Sequence, residues 1–108
     1  MKILTKEIER RLPPLGSTEG KDPEDVSVPL KVFNPYGPGT WYIFERDPET
    51  NLCFGVAKIF ETELGYIDLN ELISVRVPPF GLSLERDRYW SGTLKDVAEY
   101  EGIDFLLK

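Results

Sequence analysis

The sequence predicts an α+β fold: a small antiparallel sheet of about four to five strands with two or three short helices. Three observations carry it. Short apolar and aromatic segments recur between Pro- and Gly-rich turns, the pattern of strands joined by hairpins. Asp68 and Thr93 each stand just ahead of an apolar-periodic run, where a helix start needs a side-chain cap. The chain has 108 residues, 41% of them hydrophobic and 30% charged, which suits one domain whose core needs neither disulfides nor metal.

The elements follow in order. Thr5 to Leu12 reads as a short helix, with Thr5 as cap, Ile8 and Leu12 on one face, and Arg10 and Arg11 at the negative end of the dipole. Pro13 and Pro14 stop it, and the polar stretch Gly16 to Asp25 is a surface loop. Val28 to Phe33 alternates like a strand, with Pro29 confining it to an edge or to a strand start. A turn over Asn34 to Gly39 leads to the aromatic strand Thr40 to Glu45, and a polar loop then joins it to Leu52 to Phe60 as a hairpin. Pairing these two strands places Trp41, Tyr42, Phe44, Phe54, Val56 and Ile59 on one twisted sheet.

Gly65 to Ile67 is a brief strand that runs into a helix capped by Asp68, with Glu71 at the position that completes a capping box and Leu69, Leu72 and Ile73 as its apolar residues. Pro78 to Gly81 turns the chain into a further strand between Leu82 and Trp90. Thr93 and Asp96 start the last helix, whose stripe Leu94, Val97 and Ala98 ends near Gly102. Ile103, Phe105, Leu106 and Leu107 are too apolar for a free tail and are expected to dock.

Composition restricts the chemistry. There is no histidine, one cysteine and one methionine, so Ser-His-Asp and Cys-His pairs, a His-bearing zinc site and an imidazole proton shuttle are all excluded. Cys53 has no disulfide partner and sits among Leu52, Phe54 and Val56, as a small buried residue in a reducing compartment would. Neither a signal-peptide core nor an apolar run of about 20 residues is present, so a cytoplasmic protein without a membrane partner is expected.

The net charge is −6, and ten acids face five bases over residues 61–108 while the remainder of the chain is nearly balanced. This argues against direct nucleic-acid binding, which requires a basic patch. Two readings remain: attraction to a protein partner with a basic surface, or a solvated face that maintains solubility. On the first, Glu61, Glu63 and Glu71 form one acidic group and Asp96, Glu99 and Glu101, with Asp104, a second. Tyr36, Tyr89 and Trp90, at turn or charged positions, are the aromatic residues expected at an interface.

The tripeptide Glu-Arg-Asp occurs twice, as Glu45-Arg46-Asp47 and Glu85-Arg86-Asp87, each beside aromatic residues. If the segments are sheet neighbours, Glu45, Asp47, Glu85, Arg86 and Asp87 would form the site of a carboxylate-based or metal-dependent enzyme; the bland reading is an ion-pair network at the sheet rim. A restriction-type nuclease core fails on inspection: Asp47 and Lys58 have the right separation, but Val56 occupies the position of the second acid. Gly37-Pro38-Gly39 lacks the lysine and helix start of a nucleotide loop. No residue is assigned as catalytic or as a metal ligand, and no cofactor is called for.

Further groups of residues carry a resemblance. Leu4-Thr5-Lys6-Glu7 with Leu12-Pro13-Pro14-Leu15-Gly16-Ser17-Thr18-Glu19, then Trp41-Tyr42, Phe54-Gly55-Val56, Glu63-Leu64-Gly65-Tyr66 leading into Leu69-Asn70-Glu71-Leu72, and Gly81-Leu82 ahead of Glu85-Arg86-Asp87 resemble family 2958 of the domains of unknown function, in order and over nearly the whole chain. The resemblance implies a small single-domain product of plasmids, phages or integrative elements, and it brings no catalytic motif. The function expected is that of a non-enzymatic accessory protein of a mobile genetic element that binds a host or element protein, as an anti-defence inhibitor acting through its acidic surface. An enzyme at the two Glu-Arg-Asp segments and a small-ligand binding module are the alternatives.

Overall fold

One antiparallel sheet, in the order β4-β3-β2-β1-β5, organises the chain. The structure is a computed structural model and describes residues 2–103. Its strands are β1 (Leu30–Phe33), β2 (Thr40–Arg46), β3 (Leu52–Lys58), β4 (Thr62–Asp68) and β5 (Glu85–Arg86). The helices are α1 (Lys6–Arg11), α2 (Leu69–Ser74) and α3 (Leu94–Glu101). Phe105, Leu106 and Leu107 lie outside the described residues, but Ile103 is buried.

The helix ends follow from local chemistry. Thr5 accepts a hydrogen bond from the Ile8 N–H, and Asp68 accepts from those of Asn70 and Glu71. At Thr93 both halves of a capping box form with Asp96, and α3 ends on Gly102 in the left-handed conformation that glycine tolerates (φ 68°). Two strands differ from expectation. β4 runs seven residues because every one of them finds a partner on β3, whereas only Glu85 and Arg86 of the Leu82 to Trp90 stretch are in ladder register with β1. Pro29 immediately precedes β1, which has a neighbour on each side, so the proline marks a strand start.

The core has two layers, one on each face of the sheet. On one face Leu30, Val32, Ile43, Cys53 and Ile67 pack beneath α1 and α2 with Ile8, Leu69 and Leu72. On the other, Tyr42, Phe44 and Val56 pack beneath α3 with Leu94, Val97, Ala98 and Ile103. A β-bulge in β2 adjusts this alternation: Ile43 opposes Gly55 and Glu45 opposes Phe54, so Phe44 is the extra residue. Phe44 and Glu45 therefore point to the same face, the α3 side, and Arg46 returns to the α1 side.

Gly55 is what lets the two strands approach at the bulge, because a Cβ there would lie 2.0 Å from the Tyr42 carbonyl oxygen. Gly65, its partner on β4, has nothing within 4 Å of the same position. Gly55→Ala should therefore destabilise the protein by at least about 1–3 kcal/mol, the range for forced overpacking, while Gly65→Ala should be tolerated. Denaturant melts of the two variants check this; equal losses would mean that the bulge does not depend on Gly55.

Candidate functional site

The two Glu-Arg-Asp segments are not sheet neighbours. β1 lies between β2 and β5, and Glu85 aligns through Phe33 with Thr40, at the opposite end of β2 from Glu45 and Arg46. Each segment is engaged separately in holding other parts of the chain. Glu45, 4% exposed, accepts from the backbone N–H of Gly16 (2.7 Å) and of Thr18 (3.0 Å) and from the Thr18 hydroxyl. Arg46 donates to Asn51 (2.8 Å) and pairs with Glu9 (3.3 Å), tying the hairpin loop and α1 to the sheet. Arg86 donates to the carbonyls of Lys2 and Ile3.

The two aspartates do the same job in both segments. Asp47 accepts from the Glu49 N–H and Asp87 from the Tyr89 N–H, each closing a turn on the residue two positions on. The Glu49 bond holds the Asp47 carboxyl below its ordinary range against the opposing effect of desolvation, with further help from Thr50 and Arg46. The repeated tripeptide thus reflects a repeated turn, and the segments form no joint network among the described residues. No group of three or more Cys, Asp or Glu side chains among the described residues could hold a metal ion.

A polar cluster that sequence reading missed lies on the α3 face, where β1, β2 and β3 meet the end of α3. The buried Tyr42 hydroxyl donates to Glu101 (2.6 Å), and Lys58 pairs with the same carboxylate (2.6 Å). Lys31 lies over the rings of Tyr42, Trp90 and Tyr100 at 5.3, 5.4 and 5.1 Å and pairs with Asp87 at 3.5 Å. Burial, then the bond to Glu101, pushes the Tyr42 phenol far above its ordinary value, so it stays a proton donor. Burial alone would raise Glu101, but the bonds from Lys58 and Tyr42 and the charges of Lys58 and Lys31 outweigh it and hold the carboxyl low. The bond to Glu101 in turn raises Lys58. No sequence signal marked it, since the alternation in β1 puts Lys31 on the face opposite the apolar Leu30 and Val32, where a solvated lysine is expected.

Two expected surface residues belong to this cluster. Glu101 is a buried ion-pair partner with a side chain 6% exposed, so it adds nothing to an acidic surface. Trp90 is half-buried because its indole N–H finds the Val28 carbonyl (2.9 Å) and its ring meets Tyr42 edge-on. Asp96 is exposed but spends its carboxylate on the Thr93 cap, and Glu71 and Glu99 are exposed on their helices. Tyr36 and Tyr89 are exposed as expected. Cys53 is fully buried, and burial raises its thiol to about 12, which makes it a poor nucleophile.

The β3–β4 hairpin exposes both acidic and apolar side chains. Glu61 and Glu63 are exposed and make no ion pair among the described residues; together with Ala57, Ile59 and the 92% exposed Phe60 they line a shallow depression of about 400 Å³. On the α3 face of the same strands, beside the exposed Leu64, the 71% exposed Tyr66 continues an edge-to-face series through Phe54 to Phe44. These rings floor a second open cleft of about 400 Å³, with the Gly16–Lys21 loop held by Glu45 as its far wall.

Two outcomes follow from these geometries. Glu45→Gln should destabilise by about 1–3 kcal/mol, since a buried acceptor of several N–H and O–H donors is replaced by a group with one oxygen. The Glu101–Lys58 pair is present above the ordinary glutamate range and is lost as pH falls through the lowered Glu101 value. In pH-dependent urea melts, wild type should exceed Glu101→Gln most near neutrality, and the gap should close below about pH 4.3. A gap that persists in acid would mean that packing, not charge, is what Glu101 supplies.

The family model described as Protein of unknown function (DUF2958) matches residues 3–103. No curated protein and no solved structure matches the chain.

Proposed function

The chain belongs to the DUF2958 family, and we propose that it is a non-enzymatic binding protein that engages a protein partner with a basic surface through its β3–β4 hairpin. One observation carries this reading. From Ile59 to Val75 the sequence contains Glu61, Glu63, Asp68 and Glu71 and no base, and Glu61 and Glu63 stand exposed at the hairpin beside Phe60 and Ile59. Unneutralised acids next to exposed apolar side chains combine long-range attraction with short-range burial, which is how steered interfaces work.

The finer form of the proposal is that the chain is an accessory protein of a mobile genetic element acting in the cytoplasm. Its partner would then belong to host defence, such as a restriction or guide-directed nuclease, whose DNA channel is basic. The enzymatic alternative loses its support where Glu45, Asp47 and Asp87 are each engaged in holding a loop or a turn.

The test is capture of host proteins on wild type and on Glu61→Lys/Glu63→Lys, at low salt and at salt above the physiological level, where the Debye length drops below about 8 Å. Both substitutions are at exposed positions and should leave the melting transition unchanged. A partner captured by wild type at low salt, and reduced both by salt and by the double variant, is expected. Capture that is equal in all four conditions would reduce the acidity to a solubility device.

A further inference from the structure

β4 is the outer strand of the sheet and pairs with β3 through seven consecutive residues without a bulge. Its other edge has no strand neighbour among the described residues. Proteins blunt such edges with lysine, proline, bulges or short strands. β4 has no lysine, arginine or proline, and its pairing is unbroken. The opposite edge is treated differently: β5 has two residues, and Arg86 there folds back onto the Lys2 and Ile3 carbonyls.

The two faces beside the open edge differ in chemistry. On the α3 face, Leu64 and Tyr66 border the apolar cleft floored by Phe54 and Phe44. On the other, Glu63 lies beside Ala57 in the depression shared with Glu61 and Phe60, and Gly65, with no side chain, leaves open space. Side chains of an added strand alternate between these two faces. A matching segment is therefore apolar at every second residue and basic between.

We infer that the free edge of β4 is a strand-addition site for an extended partner segment in which apolar and basic side chains alternate. The inference rests on the binding reading above and names how the partner is held: backbone hydrogen bonds to β4, apolar side chains over Leu64 and Tyr66, and basic ones beside Glu61 and Glu63. A second copy of this chain is disfavoured as occupant. Two β4 strands side by side would bring together two base-free stretches carrying Glu61, Glu63 and Asp68 each, with like charges across the new pair.

The probe is a capped peptide of alternating lysine and valine as long as β4, titrated into the whole protein by calorimetry and by amide exchange. Alternate N–H groups of a strand face the same edge, so two further peptides are used, one N-methylated at every valine and one at every lysine. The expected result is binding that falls about tenfold or more for one methylated peptide and not for the other, with new protection of β4 amides and weaker binding by Tyr66→Ser. Salt-sensitive binding with both methylated peptides as good as the parent and β4 amides unchanged would overturn strand addition while leaving the acidic-surface reading in place. An equally tight glutamate-valine peptide, or no peptide binding at all, would overturn the inference, as would a free protein that sediments as a dimer with β4 already protected. In these cases the host-capture experiment still judges the binding reading by itself.

Discussion

The two-against-one register at Ile43–Glu45 is the constraint on which the rest of the molecule depends. A regular β2 would turn Glu45 toward α1 and Arg46 toward α3. With Phe44 inserted, Glu45 faces the Gly16–Lys21 loop and accepts its N–H groups, while Arg46 faces α1 and reaches Glu9 and Asn51. One extra residue thus fixes both the loop that walls the apolar cleft and the docking of the first helix. It does so only because Gly55 opposite has no Cβ to strike the Tyr42 carbonyl. The Phe54-Gly55-Val56 segment that helped mark the family is, physically, the partner half of this bulge.

What was legible in the sequence was what is determined locally. Thr5, Asp68 and Thr93 cap their helices because a cap is a matter of a few consecutive residues, and Gly102 ends α3 for the same reason. The alternation in β1 likewise identified the inner residues Leu30 and Val32. The bulge was not legible, since it is a property of a strand pair and not of either strand. Its consequence was that Glu45, read as a rim residue, is among the most thoroughly bonded side chains described.

Long-range pairings of buried polar groups were hidden for a related reason. Glu101 reads as surface charge until α3 is laid across β2 and β3, which brings it against Tyr42 and Lys58, 59 and 43 residues away in sequence. Trp90 reads as exposed until its N–H is seen to meet the Val28 carbonyl, 62 residues away. A phenol, a carboxylate and two amines gathered in one cleft resemble a catalytic group by type. Their pairing points elsewhere: Glu101 accepts both Tyr42 and Lys58, and Lys31 is taken up by rings and by Asp87. Saturated in this way, the cluster closes the core beneath α3.

The same pairings explain where the charge excess falls. The three bases of residues 26–60 are Lys31, Arg46 and Lys58, and each meets an acid from outside that segment: Asp87, Glu9 and Glu101. The central strands therefore carry into the fold just the cations that neutralise acids brought by α1, α3 and the β5 turn. None of these bases is directed at the β3–β4 hairpin, and Ile59 to Val75 supplies none of its own. The imbalance of this acidic chain consequently concentrates at the one long sheet edge that has no strand beside it among the described residues. At physiological salt such a field reaches only about 8 Å from the surface, so it acts on what arrives at that edge and on little else.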